Sequence, residues 1–423
     1  MTPSAPLAET LAAASRVVAR VLAGRSLGAA LADGTAQECS RRPAVTDAAY
    51  GTLRDFGAPD AIIDALARRG TPDPALRALL LCALHELRHE RRAPHVVVDQ
   101  AVQACGRLGQ GRARGFVNAT LRGYLRGREL LEREAARTEV GRFGYPQWWI
   151  DRVRAGHPHR WPTILAAGNA HPPMTLRVNC RLASVDALRE KLAAAGIEAR
   201  QVGERALRLA QARAVEAIPG FAAGEVSVQD AGAQLAAALL APRDGMRVLD
   251  ACAAPGGKTG HLAELADADL VALDRDPQRL GAVSANLARL GRAADVRAAD
   301  AADLAAWWDG RPFDRVLADV PCSASGVVTP SRHLAVAARG GPARVRARAA
   351  GLLDARQVLA PGGKLLYATC SVFPEENQSV TKAFASRRAD ARQLDLPGLA
   401  GGQLLPDDDH DGFYYALFEK ARG

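Results

Sequence analysis

Two cysteines and three acids follow apolar segments that are predicted to be β-strands. Cys322 ends the segment 314–322, and Cys370 ends the segment 363–370. Acids stand at or near the ends of such segments as well, at Asp274, Asp300 and Asp319. Because open α/β sheets bind ligands at the carboxyl ends of their strands, these residues predict a ligand-binding site at one edge of a sheet, where each thiol is a candidate nucleophile. A buried cysteine that acts as a small apolar side chain is the alternative for each thiol.

A glycine turn near the middle of the chain separates a predicted strand from a predicted helix. Residues 248–249 are apolar and β-prone, Gly256 and Gly257 form the turn, and a helical pattern covers residues 259–265. Glycines let a ligand approach the backbone, and the start of a helix offers free N–H groups. Only two adjacent glycines precede Lys258, so this is not a phosphate-binding loop of the Gly-x-x-x-x-Gly-Lys type. The pattern predicts a nucleotide-binding unit, with an ordinary tight turn as the alternative.

Three motifs follow one another in the second half of the chain. They are Cys-Ala-Ala-Pro-Gly-Gly-Lys-Thr at 252–259, Asp-Val-Pro-Cys-Ser at 319–323 and Tyr-Ala-Thr-Cys-Ser-Val-Phe-Pro-Glu-Glu-Asn at 367–377. In this order and separation they resemble the RNA cytosine-5 methyltransferases, which use S-adenosylmethionine. The resemblance implies that residues 241–423 form an α/β, Rossmann-like, class I S-adenosylmethionine-dependent methyltransferase domain, whose antiparallel last strand lies at 412–420.

The same resemblance assigns roles to the two cysteines. It implies that Cys370, which follows a threonine, is the nucleophile, and that Cys322, which follows a proline, aids product release. A thiolate that adds to C6 of cytosine makes C5 reactive enough to attack the cofactor's methyl group. Asp319 would hold the polar edge of the cytosine and stabilise charge there. The DNA cytosine-5 methyltransferases use a Pro-Cys nucleophile instead, which leaves the reverse assignment as an alternative.

The resemblance also implies a set of cofactor-binding residues. The loop around the methionine and ribose would be Cys252, Ala253, Ala254, Pro255, Gly256, Gly257 and Lys258. Asp274 would accept the ribose hydroxyls, Asp300 would lie near the adenine, and Asp319 would be a further contact. Lys258 is left with two roles, either binding the methionine carboxylate or orienting Asp319. No metal is expected, and Cys39, Cys82, Cys105 and Cys180 are expected to be structural.

The N-terminal residues 1–135 are predicted to be helical. Asp73 is an expected N-cap, with Pro74 at the first helical position. Residues 79–87, 94–102 and 116–122 resemble the NusB-type RNA-binding domain, and this narrows the family resemblance to the bacterial 16S ribosomal RNA enzymes of the RsmB type. Arginines from this region predict RNA contact, with a solvated helix surface as the alternative: Arg88, Arg91, Arg92, Arg107, Arg112, Arg114, Arg122, Arg126 and Arg128.

Residues 136–240 are predicted to form a connecting α/β module. A strand at 175–179, a helix at 184–194 and a strand at 207–209 alternate there. The module resembles the piece that precedes the catalytic domain in the RNA cytosine-5 methyltransferases and helps to form their RNA groove.

Composition and charge restrict the class of protein. A chain of 423 residues suggests two or three domains, and its net charge of +9 favours a polyanionic partner, although bias toward arginine would also produce such an excess. No stretch is long and apolar enough for a transmembrane helix, and the start lacks signal-peptide features. Seven cysteines without a Cys-x-x-Cys pair fit a reducing compartment. We expect a cytoplasmic monomer that acts on RNA, with 16S ribosomal RNA as the expected substrate, and not on a membrane.

The sequence departs from the family pattern after the Pro-Cys motif. Residues 323–326 are Ser-Ala-Ser-Gly instead of Ser-Gly-Thr-Gly, and the stretch 335–350 lacks the usual Trp and Gln. Because this loop is expected beside the substrate, its altered residues could affect catalysis. A non-catalytic RNA-binding ribosome assembly factor is therefore one alternative. A methyltransferase of tRNA or another RNA is a second, and a DNA enzyme is a third. The NusB-like segment disfavours the last two.

Overall fold

The computed structural model describes residues 7–25, 27–35, 42–67, 73–170, 174–327 and 357–422. These residues fall into two compact units, one that ends at Asn169 and one that begins at Ala170. The predicted domain boundary between residues 135 and 136 falls within a helix, Arg114–Arg137. The helices from there to Asn169 group with the first unit because they pack on its earlier helices.

The first unit is all-helical. Its helices are α1 (Leu7–Leu22), α2 (Leu27–Thr35), α3 (Arg42–Arg54), α4 (Gly57–Leu66), α5 (Pro74–Arg88), α6 (Pro94–Arg107), α7 (Arg114–Arg137), α8 (Glu139–Phe143), α9 (Gln147–Gly156) and α10 (Trp161–Asn169). Helix α5 is buried on nearly all sides, with α1 and α6 packed against it, as expected from its continuous apolar run at residues 78–84. It begins as predicted, because the Asp73 side chain accepts a 2.9 Å hydrogen bond from Ala75 N and Pro74 occupies the first turn. Among all the helices that the structure describes, none has the length and apolar character needed to cross a membrane.

The second unit opens with a small antiparallel sheet. Its elements are β1 (Thr175–Val178), α11 (Val185–Ala194), β2 (Ala199–Gln201), β3 (Ala206–Leu209) and β4 (Val226–Val228), and the strand order is β2-β3-β1-β4. Ser184 caps α11 by accepting a hydrogen bond from Ala187 N. The sequence analysis missed β2 and β4, because three residues are too few to show an alternating pattern.

The rest of the second unit is a larger α/β domain. Its elements are α12 (Ala231–Leu240), β5 (Arg247–Asp250), α13 (Gly257–Leu265), β6 (Asp269–Asp274), α14 (Pro277–Arg289), β7 (Asp295–Ala298), α15 (Leu304–Trp307), β8 (Phe313–Asp319), β9 (Leu359–Thr369), α16 (Gln378–Arg387), β10 (Ala391–Leu394), β11 (Gln403–Leu404) and β12 (Phe413–Lys420). The main sheet has the order β10-β12-β9-β8-β5-β6-β7. Strands β5 to β9 run parallel, and β12 lies antiparallel to β9. The predicted Rossmann-like domain with an antiparallel last strand is confirmed, and the carboxyl ends of β5, β6, β8 and β9 meet at one edge.

A buried ion pair joins the small sheet to helix α13. The Arg177 side chain on β1 is fully buried, and its guanidinium donates to both carboxylate oxygens of Glu264 at 2.9 and 2.6 Å. It also donates to Gln229 Oε1 at 2.6 Å and to the carbonyl oxygen of Gly257 at 2.8 Å. Because the charged guanidinium donates to Gly257 at the start of α13 and to Glu264 near its end, Arg177 fixes the position of the helix that follows the glycine turn.

Replacing Arg177 by Met is expected to lower the free energy of unfolding of the second unit by about 3–5 kcal/mol, because it leaves the Glu264 carboxylate buried without its partner. Urea denaturation followed by circular dichroism measures the loss. The control is the double variant Arg177→Met/Glu264→Leu, which removes both charges and should recover most of the stability. Equal losses in the single and double variants would show that the pair contributes through packing alone.

Candidate active site

The two cysteines singled out in the sequence lie in contact. Cys370 directly follows β9, Cys322 lies in the loop after β8, and their Sγ atoms are 3.3 Å apart. The parallel pairing of β8 with β9 places Asp319 opposite Ala368, so both strands end at the same level. The Val320 N–H extends this pairing with a 3.0 Å hydrogen bond to Ala368 O. The sheet register therefore positions two thiols for chemistry on one substrate atom or on neighbouring atoms.

The surroundings of Cys322 change the pKa of its thiol. The pKa of Cys322 is raised well above its ordinary value by its hydrogen bond with Cys370, by burial, and by the charges of Cys370 and Glu376. The raised pKa favours the protonated thiol at Cys322, whose S–H is then available to the Sγ atom of Cys370. A pair of this kind provides one nucleophile and one proton donor.

A buried polar network holds the two cysteine loops together. The Glu376 carboxylate accepts hydrogen bonds from Ser323 N at 3.2 Å and from Ser323 Oγ at 2.6 Å. Asn377 donates to Ser371 O at 2.8 Å and accepts from Thr369 Oγ1 at 2.7 Å. Burial raises the pKa of Glu376, although Ser323 and Ser371 donate to it. These residues belong to the motifs at 319–323 and 367–377 that carried the resemblance, but their types and spacing alone predicted no role for them.

Lys258 and Asp319 form an ion pair in the site. Lys258 Nζ lies 2.7 Å from Asp319 Oδ2 and 5.6 Å from the centre of the Phe413 ring. Burial opposes the charge on Lys258, but the neighbouring Asp319 and Cys370 outweigh it, so the pKa of Lys258 is raised. Of the two roles left open by the sequence, this geometry favours the one in which Lys258 orients Asp319. The positive charge also favours a thiolate at Cys370.

The glycine turn is held from both sides. Gly256 has φ +101° and precedes α13, and a Cβ atom there would lie 2.9 Å from Val283 Cα, so only glycine fits. On one side Asn286 Nδ2 donates to Gly256 O at 3.0 Å. On the other side Ala254 N donates to Asp274 at 3.2 Å. A backbone cradle without side chains, next to a strand-end carboxylate, is suited to a ligand with hydroxyl groups such as the ribose of S-adenosylmethionine.

Asp250 is a site residue that the sequence analysis missed. It ends β5, is 1% exposed, and accepts a 2.7 Å hydrogen bond from Thr259 Oγ1. Burial raises its pKa to about 6, against this hydrogen bond and with help from the charge of Asp319. The available signal was its position at the end of the first strand, the same position that identified the other acids.

The raised pKa of Asp250 predicts a pH-dependent stability. A carboxyl with a folded-state pKa of about 6 and an ordinary value of 3.8 binds its proton more tightly in the folded protein. Its contribution is therefore fully present below pH 4 and is lost as the pH rises through 6, a difference of about 3 kcal/mol.

The variant Asp250→Asn should abolish this contribution. Its free energy of unfolding, compared with that of the wild type, should increase between pH 4 and pH 7. Urea denaturation across that range tests this, with Asp186→Asn on the exposed face of α11 as the control. An equal pH dependence in all three proteins would show that Asp250 does not titrate there.

Not every predicted residue joins the cluster. Asp300 is exposed two residues after β7, and its carboxylate accepts a 3.1 Å hydrogen bond from Ala302 N. Cys82 and Cys105 are buried as expected for structural cysteines, whereas Cys180 is exposed in the turn after β1 and so fills no core. Cys39 and the altered stretch 335–350 lie outside the described residues.

Several arginines predicted to contact RNA are paired with acids of their own unit. Arg88 contacts both Asp55 and Glu132. Four further arginines contact one or two acids each: Arg91 with Asp47 and Glu86, Arg92 with Glu86, Arg107 with Glu9, and Arg128 with Glu90. Their charges are therefore partly neutralised, and the basic surface available to a polyanion is smaller than the sequence suggested.

The helical unit also contains a group of metal-ligating type. The ligand atoms of Asp55, His85 and His89 lie within 4.8 Å of one another. The Asp55 carboxylate already contacts the Arg88 guanidinium, whose charge repels a cation. We therefore assign no metal to this group.

Comparisons with known proteins agree with this arrangement. The family model described as 16S rRNA methyltransferase RsmB/F matches residues 237–419, a ferredoxin-like domain model of RsmF/B-like methyltransferases matches 145–216, and the NusB family model matches 11–126. The chain is 43% identical to ribosomal RNA small subunit methyltransferase B of Pseudomonas putida, over 96% of this chain and 98% of that protein. It is 39% identical to the protein of the same name from Vibrio cholerae, over 97% and 96% of the two chains.

Solved structures share the fold. The crystal structure of PH0851 matches 99% of both chains with a TM-score of 0.75 at 24% identity. A methyltransferase homolog protein from Pyrococcus horikoshii matches 66% of this chain and 96% of its own, with a TM-score of 0.56 at 28% identity. From the NusB-like helices through the ferredoxin-like module to the methyltransferase domain, the chain therefore belongs to the 16S ribosomal RNA methyltransferase RsmB/F family.

Proposed function

We propose that this protein transfers a methyl group from S-adenosylmethionine to C5 of a cytosine in 16S ribosomal RNA, through a covalent bond between Cys370 and C6. It would act as a cytoplasmic monomer without a metal. The observation that carries the proposal is the contact between the Sγ atoms of Cys322 and Cys370, which lie 3.3 Å apart at the edge of a methyltransferase sheet. A methyltransferase that acts on an oxygen or on an amino nitrogen has no use for two thiols in contact.

The cofactor would occupy the turn at 252–258, with Asp274 on the ribose, Asp300 toward the adenine and Asp319 beside the reacting groups. When bound, S-adenosylmethionine supplies an electrophilic methyl group. Two features of the turn suit this cofactor. Gly256 has no side chain that would block a ligand, and the Asp274 carboxylate lies beside the turn at the end of β6.

The side chains of the site divide the remaining work. The Cys370 thiolate, favoured by the positive charge of Lys258, adds to C6 and makes C5 nucleophilic. Asp319, held by Lys258, binds the polar edge of the base and stabilises the charge that develops there. After C5 has received the methyl group, water takes the C5 proton, the C5–C6 double bond re-forms as the C6–S bond breaks, and Cys370 leaves as a thiolate. Cys322 aids this release because its S–H proton is available to the departing thiolate. Because C6 is inaccessible inside a helix, the target cytosine must be unpaired or flipped out.

The proposal is tested by methyl transfer from labelled S-adenosylmethionine to separate substrates: undermodified 16S ribosomal RNA, tRNA and duplex DNA. We expect label in the 16S RNA alone. Label in tRNA alone would favour a tRNA methyltransferase, and label in DNA alone would favour a DNA methyltransferase. An active 16S homologue assayed in parallel serves as the positive control. If the protein binds S-adenosylmethionine but transfers nothing to any nucleic acid, the assembly-factor function, suggested by the altered residues 323–326, replaces the proposal.

A further inference from the structure

The thiols of Cys322 and Cys370 are close enough for a second reaction, apart from the one proposed on RNA. Their Sγ atoms lie 3.3 Å apart, so a movement of about 1.2 Å would bring them to the length of a disulfide bond. Both residues are partly exposed, whereas Cys82 and Cys105 are buried. A small oxidant in solution can therefore reach the pair.

Hydrogen bonds between the two cysteine loops keep the thiols together. Gly326 N donates to Cys370 O at 3.0 Å, and Val372 N donates to Ser325 Oγ at 2.9 Å. These contacts follow Cys322 in the chain, and the pairing of β8 with β9 precedes it. The loops are therefore tied on both sides of the thiols, and a reaction between groups held in this way is far faster than between separate molecules.

The charges around the pair give the two sulfur atoms different roles in an oxidation. Peroxides oxidise the thiolate form of cysteine, and the neighbouring charge of Lys258 favours that form at Cys370. The pKa of Cys322 is raised by its hydrogen bond with Cys370, by burial, and by the charges of Cys370 and Glu376. Oxidation of Cys370 to a sulfenic acid removes the thiolate charge from its sulfur, so Cys322 then loses its proton more easily and becomes the second reactant.

We propose that hydrogen peroxide oxidises Cys322 and Cys370 to a disulfide within one chain, a reversible modification that stops methyl transfer. First the Cys370 thiolate attacks one peroxide oxygen, the O–O bond breaks, and the leaving hydroxide takes a proton from solvent, which leaves a sulfenic acid on Cys370. The Cys322 sulfur then attacks the Cys370 sulfur, the S–O bond breaks, and the leaving hydroxide takes the Cys322 proton to form water. The two sulfurs lose two electrons, and the peroxide is reduced to two molecules of water.

The disulfide would protect the enzyme as well as stop it. A sulfenic acid without a partner is oxidised further to a sulfinic acid, which thiols do not reduce. A disulfide, in contrast, is returned to two thiols by exchange with a reduced dithiol. Transient disulfides of this kind serve as redox sensors in reducing compartments. The loss of activity rests on the proposed function, whereas formation of the disulfide does not.

The test treats the reduced, full-length protein with a small molar excess of hydrogen peroxide. The remaining thiols are blocked with iodoacetamide, and tryptic peptides are analysed by mass spectrometry without reduction. Cys322 and Cys370 lie on separate tryptic peptides, 316–332 and 365–382, each with one cysteine. We expect these peptides to be joined, in protein that migrates as a monomer on non-reducing denaturing gels. Methyl transfer to 16S RNA should fall at least about ten-fold, because both thiols are consumed, and dithiothreitol should restore it.

Two variants serve as controls. Cys180→Ala removes an exposed thiol outside the site, so it should form the disulfide and lose activity as the wild type does. Cys322→Ala, in the fraction purified free of RNA, should give no joined peptides. Its Cys370 should instead be labelled by dimedone, which traps sulfenic acids, and should proceed to a sulfinic acid that dithiothreitol leaves in place.

Peroxide that oxidises Cys180 without joining peptides 316–332 and 365–382 would overturn this proposal and leave the proposed function intact. A disulfide between two chains, or between either cysteine and Cys252, would overturn it as well. If the peptides are joined and the rate of methyl transfer is unchanged, the regulatory effect is overturned, and so is the proposed role of Cys370 as the nucleophile. If the untreated protein transfers no methyl group, the joined peptides still decide whether the disulfide forms.

Discussion

Replacing Cys370 by Ala is expected to lower the rate of methyl transfer to 16S RNA by at least about 10³-fold, which corresponds to about 4 kcal/mol of transition-state stabilisation. The reason is that this variant lacks the proposed nucleophile for C6, and the role proposed for Cys322 is product release. S-adenosylmethionine binding should persist, because the glycine turn and Asp274 are untouched. Steady-state transfer of labelled methyl groups measures the loss, and calorimetry measures the binding.

The matched control for this variant is Cys180→Ala. Cys180 is an exposed thiol of the same unit, in the turn after β1, so its loss should leave the rate unchanged. If Cys370→Ala kept more than about a tenth of the wild-type rate, a cofactor-only mechanism without a covalent step would replace covalent catalysis.

Replacing Cys322 by Ala is expected to trap the enzyme on its RNA. Cys370 can still add to C6 and the methyl group can still be transferred, but release of the sulfur lacks the assistance of Cys322. Turnover should fall by about 10²-fold or more, the range of proton-transfer contributions. A protein–RNA species that survives denaturing electrophoresis should accumulate, and its amount should depend on S-adenosylmethionine.

The double variant Cys322→Ala/Cys370→Ala is the control for the trapped species and should form none. The contrary result is an adduct in Cys370→Ala and none in Cys322→Ala. That outcome would exchange the two roles and place this enzyme with the DNA cytosine-5 methyltransferases in its use of the Pro-Cys cysteine.

Much of the methyltransferase domain could be predicted from the sequence because its strands are short apolar segments that end in polar residues. The strands preceding Asp274, Asp319 and Cys370 are all present, and the last strand is antiparallel as expected. The contact between Cys322 and Cys370 required the strand order, since their separation of 48 residues in the chain gives no distance. Sequence analysis could rank these residues as candidates but could not place one beside the other.

What could not be predicted depends on burial of polar side chains by distant segments. Arg177 has the composition of a surface residue, yet Glu264, 87 residues later, makes it a buried anchor. In the helical unit, acids from distant segments form ion pairs with arginines that were predicted to contact RNA. Asp55 and Glu132, for example, both contact Arg88. Asp250 and Glu376 gain their raised pKa values from burial, which no local pattern records.

The proposed mechanism requires that Cys370 bond to a cytosine so that C5 receives the methyl group. The most direct test is to digest 16S RNA methylated by the wild-type protein and to identify the labelled nucleoside by chromatography and mass spectrometry. We expect 5-methylcytidine as the labelled product, and none after incubation with Cys370→Ala. A label on the amino nitrogen of cytosine, on a ribose hydroxyl or on another base would contradict it, because none of these positions requires a thiol at C6.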